Sequence, residues 1–383
     1  MRKSNKGRVK DFILCVLSIC IGASICSAQT IIQNSDKPLA KNAGRVVALK
    51  EVLKIVDEGD QYFFKYPFGL KIAPNGSIFV QEQEHLWQFD QNGEFVRDYF
   101  KKGQGPGEMI YISNFDLTGE HIIIHTSSPS KIMWIDYQGQ LAKEFTVPQK
   151  RSLMFLLFHK DVYFFNSYES PFGPGEPKFV DMPQNFTAFS EGAKELKPLM
   201  AFPIRVFIVS GQGGGGGTMF VNSLISVPYQ QKYLFLSHNS EYLLKLYDVE
   251  TNEIVRVFKR AYKRVKAPPQ KIDEKKGWMM IDGKKYFGPP AQKYSNDILN
   301  LFVDNGDLWA VTSTTDKNKG VLIDVFNFEG KYIDNFYLKL PEKSTLNLGL
   351  GRLSTVTVFK GFLYSIESNE DETFSIKKYR IGE

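Results

Sequence analysis

The chain has 383 residues, 43% of them hydrophobic and 23% charged. This ordinary globular balance excludes a disordered or collagen-like protein. Aromatic residues reach 14%, with 31 Phe and 18 Tyr, which favours β structure, where flat rings suit a half-buried pleated surface. With a single long apolar stretch, the chain is not a polytopic membrane protein.

That stretch is N-terminal. Arg2, Lys3, Lys6, Arg8 and Lys10 precede an apolar run over 12–26, and Cys26-Ser27-Ala28 supplies small residues before Gln29. Residues 1–28 read as a secretory signal peptide, so the expected location is periplasmic or extracellular. An uncleaved anchor is one alternative. A lipid anchor at Cys20 or Cys26 is another, disfavoured because Ile19 and Ile25 stand where a lipobox needs a small residue. All three cysteines lie in this segment. The mature chain therefore has no disulfide, no thiolate metal site and no cysteine nucleophile. The net charge of +6 is also largely a property of the leader, since 43 basic residues face 41 acidic ones after it. No nucleic-acid partner is expected.

Residues 29–44 read as a linker. Arg45 to Val56 then reads as strand, with Val46-Val47-Ala48-Leu49 and Val52-Leu53-Lys54-Ile55. From there a short unit recurs, a polar or Gly turn followed by three strand formers. Its copies are Ile78-Phe79-Val80, Ile122-Ile123-Ile124, Val162-Tyr163-Phe164, Tyr233-Leu234-Phe235, Leu308-Trp309-Ala310 and Phe362-Leu363-Tyr364. A second unit follows several of these: Phe89-Asp90-Gln91-Asn92-Gly93, Ile135-Asp136-Tyr137-Gln138-Gly139, Phe326-Asn327-Phe328-Glu329-Gly330 and, more loosely, Tyr247-Asp248-Val249-Glu250-Thr251-Asn252. Asp or Asn bonds its own backbone and Gly accepts φ > 0, so each is a hairpin turn. Near Phe189 to Leu196 the pattern is degenerate.

Six units of four antiparallel strands around an axis make a six-bladed β-propeller over 45–383, an all-β fold. The last unit stops at Glu383 one strand short, and a strand is spare before the first. The N-terminal strand is therefore expected to complete the last blade and close the ring, removing an exposed edge.

Pro67-Phe68-Gly69-Leu70-Lys71-Ile72-Ala73-Pro74-Asn75-Gly76-Ser77-Ile78-Phe79-Val80 resembles the opening of an NHL repeat, and Lys102-Gly103-Gln104-Gly105-Pro106-Gly107-Glu108 resembles the linker between blades of that class. The whole is similar to the exported six-bladed β-propeller proteins of Bacteroidetes-type bacteria, which are distant NHL relatives. The resemblance covers 45–383 in outline and is strongest in the first blade and its linker. It implies a fold more than an activity. NHL-type lyases and related six-bladed lactonases hold metal ligands around the axis, and no cluster here matches theirs residue by residue.

Gly105, Pro106, Gly107 and Glu108, with the similar Gly173-Pro174-Gly175-Glu176, read as structural crossings between blades, the carboxylate capping backbone amides. The glycine run Gly211 to Gly217 lacks the Lys-Ser/Thr of a phosphate loop and reads as a flexible loop. His121 and His125 lie on one face of a strand but about 13 Å apart, too far to share one metal ion. No Gly-x-Ser-x-Gly elbow occurs. Glu82/Glu84 and Asp304/Asp307 read as solvated faces. The compositional anomaly is 256–285, with eleven Lys/Arg against Asp273, Glu274 and Asp282. It belongs to a long insertion, about 256–293, between blades 4 and 5. It reads as a solvated insertion or as a basic, aromatic lip (Lys263, Arg264, Lys266, Trp278) meeting an acidic partner, including a membrane surface.

The expectation is a monomeric, exported, non-catalytic propeller. It would bind a protein, peptide or glycan at its axial mouth and through loops 166–180, 205–218 and 262–293. Polar residues near inner-strand starts, Asn114, Arg151, Asn222, Asn296 and Arg352, would line that mouth or bond across the channel. No cofactor is expected. The alternatives are a hydrolase or lyase using a divalent metal at the same mouth, and a structural part of an envelope complex.

Overall fold

The second strand of each repeat sits in the middle of a sheet with both faces covered, so it reads as an unbroken apolar run rather than an alternation. Ile78–Gln81 is buried at every position. The protein is described by a computed structural model covering residues 31–59, 61–148, 152–169, 175–210, 216–268, 279–281, 284–286, 292–339, 355–369 and 373–382. Residues 1–28, Arg151, Trp278, Arg352, Gly173-Pro174 and Gly211 to Gly215 lie outside the described residues.

The described residues form six sheets of four or five strands and one two-stranded ribbon. Blade 1 runs Gly69–Ile72, Ile78–Gln81, Leu86–Phe89 and Phe95–Asp98 from axis to rim. Blade 2 runs Asn114–Leu117, His121–Ser127, Ser130–Asp136 and Leu141–Thr146. Blade 3 is Ser152–His159, Val162–Tyr168, Gly175–Ser190 and Lys197–Ser210, with Gly216–Phe220 added outside. Blades 4 and 5 begin at Leu224–Tyr229 and Ile298–Asp304 and reach outward to Glu253–Arg260 and Tyr332–Leu338. Blade 6 has Val356–Phe359, Phe362–Ser368 and Phe374–Ile381, and its outer strand is Leu49–Ile55 from the N-terminal side.

Two N-terminal expectations need correction. Residues 29–44 are more than a linker, because Ile31–Asn34 pairs in parallel with the outer strand of blade 4. Of the stretch Arg45 to Val56, only Leu49–Ile55 completes blade 6, while Arg45–Val47 pairs in parallel with the outer strand of blade 5. The cause is the free outer edge of each of those blades, whose N–H and C=O groups accept a further strand. Asn34 fixes the crossing: its amide nitrogen donates to Lys259 O (3.1 Å) and Gly330 O (2.9 Å), and its oxygen accepts from Tyr332 N (3.0 Å).

The core lies between blades. Phe79 and Tyr99 of blade 1 pack with Phe115, Ile122 and Ile124 of blade 2. Ile366 and Ile376 of blade 6 meet Ile78, Val80 and Phe89 of blade 1, so the first and last blades share a core and the ring is closed. Each buried Phe or Ile contributes roughly 1.5–3 kcal/mol. The hairpin turns have the local chemistry their sequences require. Asp90 accepts from the backbone N–H of Asn92 and Glu94, Asp136 does the same for Gln138 and Gln140, and Gly93 takes φ +90°.

Candidate functional site

Antiparallel order places every crossing between blades, and every turn between second and third strands, on one face, here called upper. The opposite face carries turns between first and second strands. Three of these are two-residue turns with positive φ at both positions, Lys160-Asp161, Asn305-Gly306 and Lys360-Gly361, and Gln230-Gln231 takes positive φ within a three-residue turn. Such turns are short and project little.

The long departures from the four-stranded plan rise from the upper face. Blade 3 extends its third and fourth strands beyond Tyr168, the end of its second strand, and pairs residues 175–184 with 202–210 and then 216–220. Met182, Ile204, Val206 and Ile208 pack as a core of their own in this wall. Between blades 4 and 5 the basic insertion leaves the face as two antiparallel arms, joined by Ala267 N to Lys293 O (3.2 Å) and Ser295 N to Val265 O (3.0 Å).

At the root of this insertion lies a buried ion pair. Arg260 donates to the carboxylate of Asp324 through two nitrogens (2.6 and 2.8 Å), and the hydroxyls of Tyr242 (2.5 Å) and Tyr332 (2.7 Å) donate to the same group. The guanidinium sits 5.0–5.3 Å from the rings of Tyr242, Tyr262 and Tyr332. Charge buried this completely holds only when its lone pairs are filled, and the network ties blade 4 to blade 5.

An axial channel of about 370 Å³ is lined by all six innermost strands. Its walls are largely apolar, with Ile72, Leu117, Phe155, Leu301 and Phe359 among them. Its charged lining residues, Lys71 and Asp116, pair with each other at 2.7 Å, leaving little charge for a ligand.

A larger recess of about 870 Å³ opens on the upper face at blade 1. It lies between the crossing from blade 6, which supplies Phe63, Lys65 and Tyr66, and the turn that supplies Glu82, Gln83, Glu84 and His85. The crossing alternates inward and outward rings. Tyr62 and Phe64 are buried, with Tyr62 OH donating to Val56 O (2.8 Å) and Phe64 N donating to Asp57 (2.8 Å). Phe63 and Tyr66 point out, 56% and 69% exposed. Tyr66 N donates to the buried Glu82 carboxylate at 2.9 Å. Burial pushes the Glu82 carboxyl up, against the backbone N–H bonds that lower it. His85 stacks on Trp87 at 4.7 Å with the planes 8° apart, and its Nδ1 bonds Asp98 at 2.5 Å. That bond raises the imidazole pKa, with burial opposing it. Asp98 is itself fixed by Leu86 N and Phe100 N.

A second recess, of about 660 Å³, lies on the lower face between blades 3 and 4. Its Glu250 is gripped by Lys160, Lys232 and His159, which hold the carboxyl down at about 2. These charges satisfy one another. Among the described residues no group of three His, Cys, Asp or Glu side chains could hold a metal ion.

Of the expected mouth residues that are described, one borders the channel and two do not. Asn114 borders the channel but is buried, and its amide donates to Phe155 O (2.5 Å), stitching blade 2 to blade 3. The Asn222 oxygen accepts from Arg205 N (2.7 Å), and Asn296 donates to Val221 O (3.3 Å). Both hold crossings and neither lines the channel. In the lip, Lys263 and Lys266 are exposed, while Arg264 is taken by Asp297 (2.9 Å) and Ser240 O (2.9 Å). Glu108 accepts from Gly105 N (2.9 Å), and Gly107 N donates to Glu144, which also holds Lys131. Pro106 lies in the same turn, so this crossing is clamped onto blade 2. Sequence reasoning missed the recess because Tyr66 and Phe63 look like core aromatics and His85 has no local partner. The alternation Tyr62-Phe63-Phe64 just before blade 1 was the available signal.

Residues 58–180 match a family described as 6-bladed beta-propeller, a span that includes blades 1 and 2. The chain is a six-bladed β-propeller. Among solved structures, a candidate exported protein from Bacteroides fragilis is similar at 15% identity and a TM-score of 0.52, covering 92% of this chain and 100% of that one. A gluconolactonase from Xanthomonas campestris aligns over 89% of this chain and 99% of its own, at 10% identity and a TM-score of 0.40. Hsv2 from Kluyveromyces lactis aligns over 83% and 98%, at 9% identity and 0.37. At such identities the likeness is one of fold. No match was found among curated proteins.

Proposed function

We propose that this chain is an exported, monomeric binding propeller that holds a protein, peptide or glycan on its upper face. The observation that carries the reading is the asymmetry of the faces. The blade 3 wall, the basic arms and the aromatic recess all rise on one side, whereas the lower side has tight turns and self-paired charges. Binding residues concentrate on long loops held by a rigid scaffold, and a recess of several hundred Å³ with a few convergent polar groups is the usual form of a ligand site.

The test is retention of envelope proteins and glycans by the immobilised mature chain, residues 29–383. Replacing upper-face residues Phe63, Tyr66 and Lys266 by Ala should reduce the retained material at least about tenfold. Replacing lower-face Gln231 and Lys360 by Ala should leave it unchanged. The reverse pattern would refute the reading.

A further inference from the structure

We infer that the recess at blade 1 is a saccharide site that takes a neutral, hydroxyl-rich ligand by stacking it on Tyr66 and Phe63. The inference rests on the binding reading above and narrows it to one chemistry.

Phe63 and Tyr66 stand out from a crossing whose neighbours Tyr62 and Phe64 are anchored in the core against Phe89, Phe95 and Trp87. Tyr66 is further fixed through its backbone bond to Glu82. Two large rings held exposed beside a concave surface offer flat apolar area that is already ordered, so a ligand loses little by engaging it.

The charges then select the ligand. Of the three carboxylates in the lining, Asp98 is bonded to His85, Glu84 to Lys102 (3.2 Å) and Glu82 to Tyr66 N. The lining also carries Lys65, so a ligand of either sign meets a like charge there: a cation meets Lys65 and an anion the three carboxylates. His85 has Nδ1 engaged, so Nε2 is what it can offer: an acceptor when the ring is neutral and a donor when it is protonated. A hydroxyl can answer either state, since it both donates and accepts. Gln61 and Gln83 add amide donors and acceptors around the same space. A pyranose ring presents an apolar face to an aromatic and a rim of hydroxyls to these groups.

The experiment is calorimetric titration of the mature chain with neutral, acidic and amino-bearing oligosaccharides, chosen from a broad glycan array. The expected result is binding of a neutral oligosaccharide that weakens about tenfold in Tyr66→Ala and again in Phe63→Ala. Tyr66→Trp should retain the affinity, and unchanged melting temperatures would show that the fold persists. Binding that survives the double alanine variant would overturn the recess as the site. If no neutral glycan binds while envelope-protein retention still depends on the upper face, the saccharide class is wrong and the broader reading stands.

Discussion

His125 shows what this fold imposes on a single side chain. It lies in the second strand of blade 2, fully buried, edge-on to Phe165 of blade 3, and neither ring nitrogen has a hydrogen-bond partner among the described residues. Burial pushes its pKa down to about 4. The sign follows from the protons bound. Between about pH 6.5 and 4 the unfolded chain protonates this imidazole and the folded chain does not, so stability falls as pH falls and is unaffected above that window. The loss approaches about 3 kcal/mol at pH 4. His238, also lowered by burial, acts in the same direction. His85, raised by Asp98, acts oppositely, its stabilisation being complete at low pH and lost as pH rises through its folded pKa. Denaturant melts from pH 7 to 4 should show a slope that His125→Leu reduces, and an unchanged slope would contradict the burial. From sequence, spacing kept His121 and His125 from sharing one metal ion. It could not show that His125 sits in the gap between two blades, because Phe165 is 40 positions away.

At the scale of elements, the most legible parts were those with local signatures. The second strands announce themselves as apolar triplets and the outer hairpins as Asp-x-x-Gly turns, because each is decided within a few residues. Closure of blade 6 was also legible, from a missing strand at one end and a spare one at the other. The parallel additions Ile31–Asn34 and Arg45–Val47 were not, since a parallel partner needs no turn and leaves no hairpin pattern. They predict a graded response to truncation. A chain beginning at residue 45 loses the Asn34 bridge between blades 4 and 5 and should melt several degrees lower while remaining folded. A chain beginning at residue 57 also loses Leu49–Ile55, exposes the edge of blade 6 and should aggregate or fail to fold. Circular dichroism melts of the two truncations check this, and equal stability of both would contradict closure by the N-terminal strand.

For the whole molecule, the fold was readable because repetition averages over poor copies: six weak units in register make one strong pattern. The site was not readable in the same way. Of the polar residues expected near inner-strand starts, Asn114 borders the channel while bonding Phe155 O, whereas Asn222 and Asn296 hold backbone groups at crossings. The recess instead draws its groups from an inter-blade crossing and a turn about twenty residues apart in the chain, which the hairpin of the first two strands of blade 1 brings together. The proposed function rests on which face carries the irregular segments, a property of topology rather than of any motif.

Because all three cysteines lie within residues 1–28, single cysteines can be placed in a chain of residues 29–383 without interference. The decisive measurement is photo-cross-linking from such cysteines at Phe63, Gln83 and Lys266 above, and at Gln231, Lys360 and Asn252 below, in living envelope. Adducts from the upper set alone are the predicted result. Adducts from the lower set, with none from the upper, would contradict recognition on the upper face.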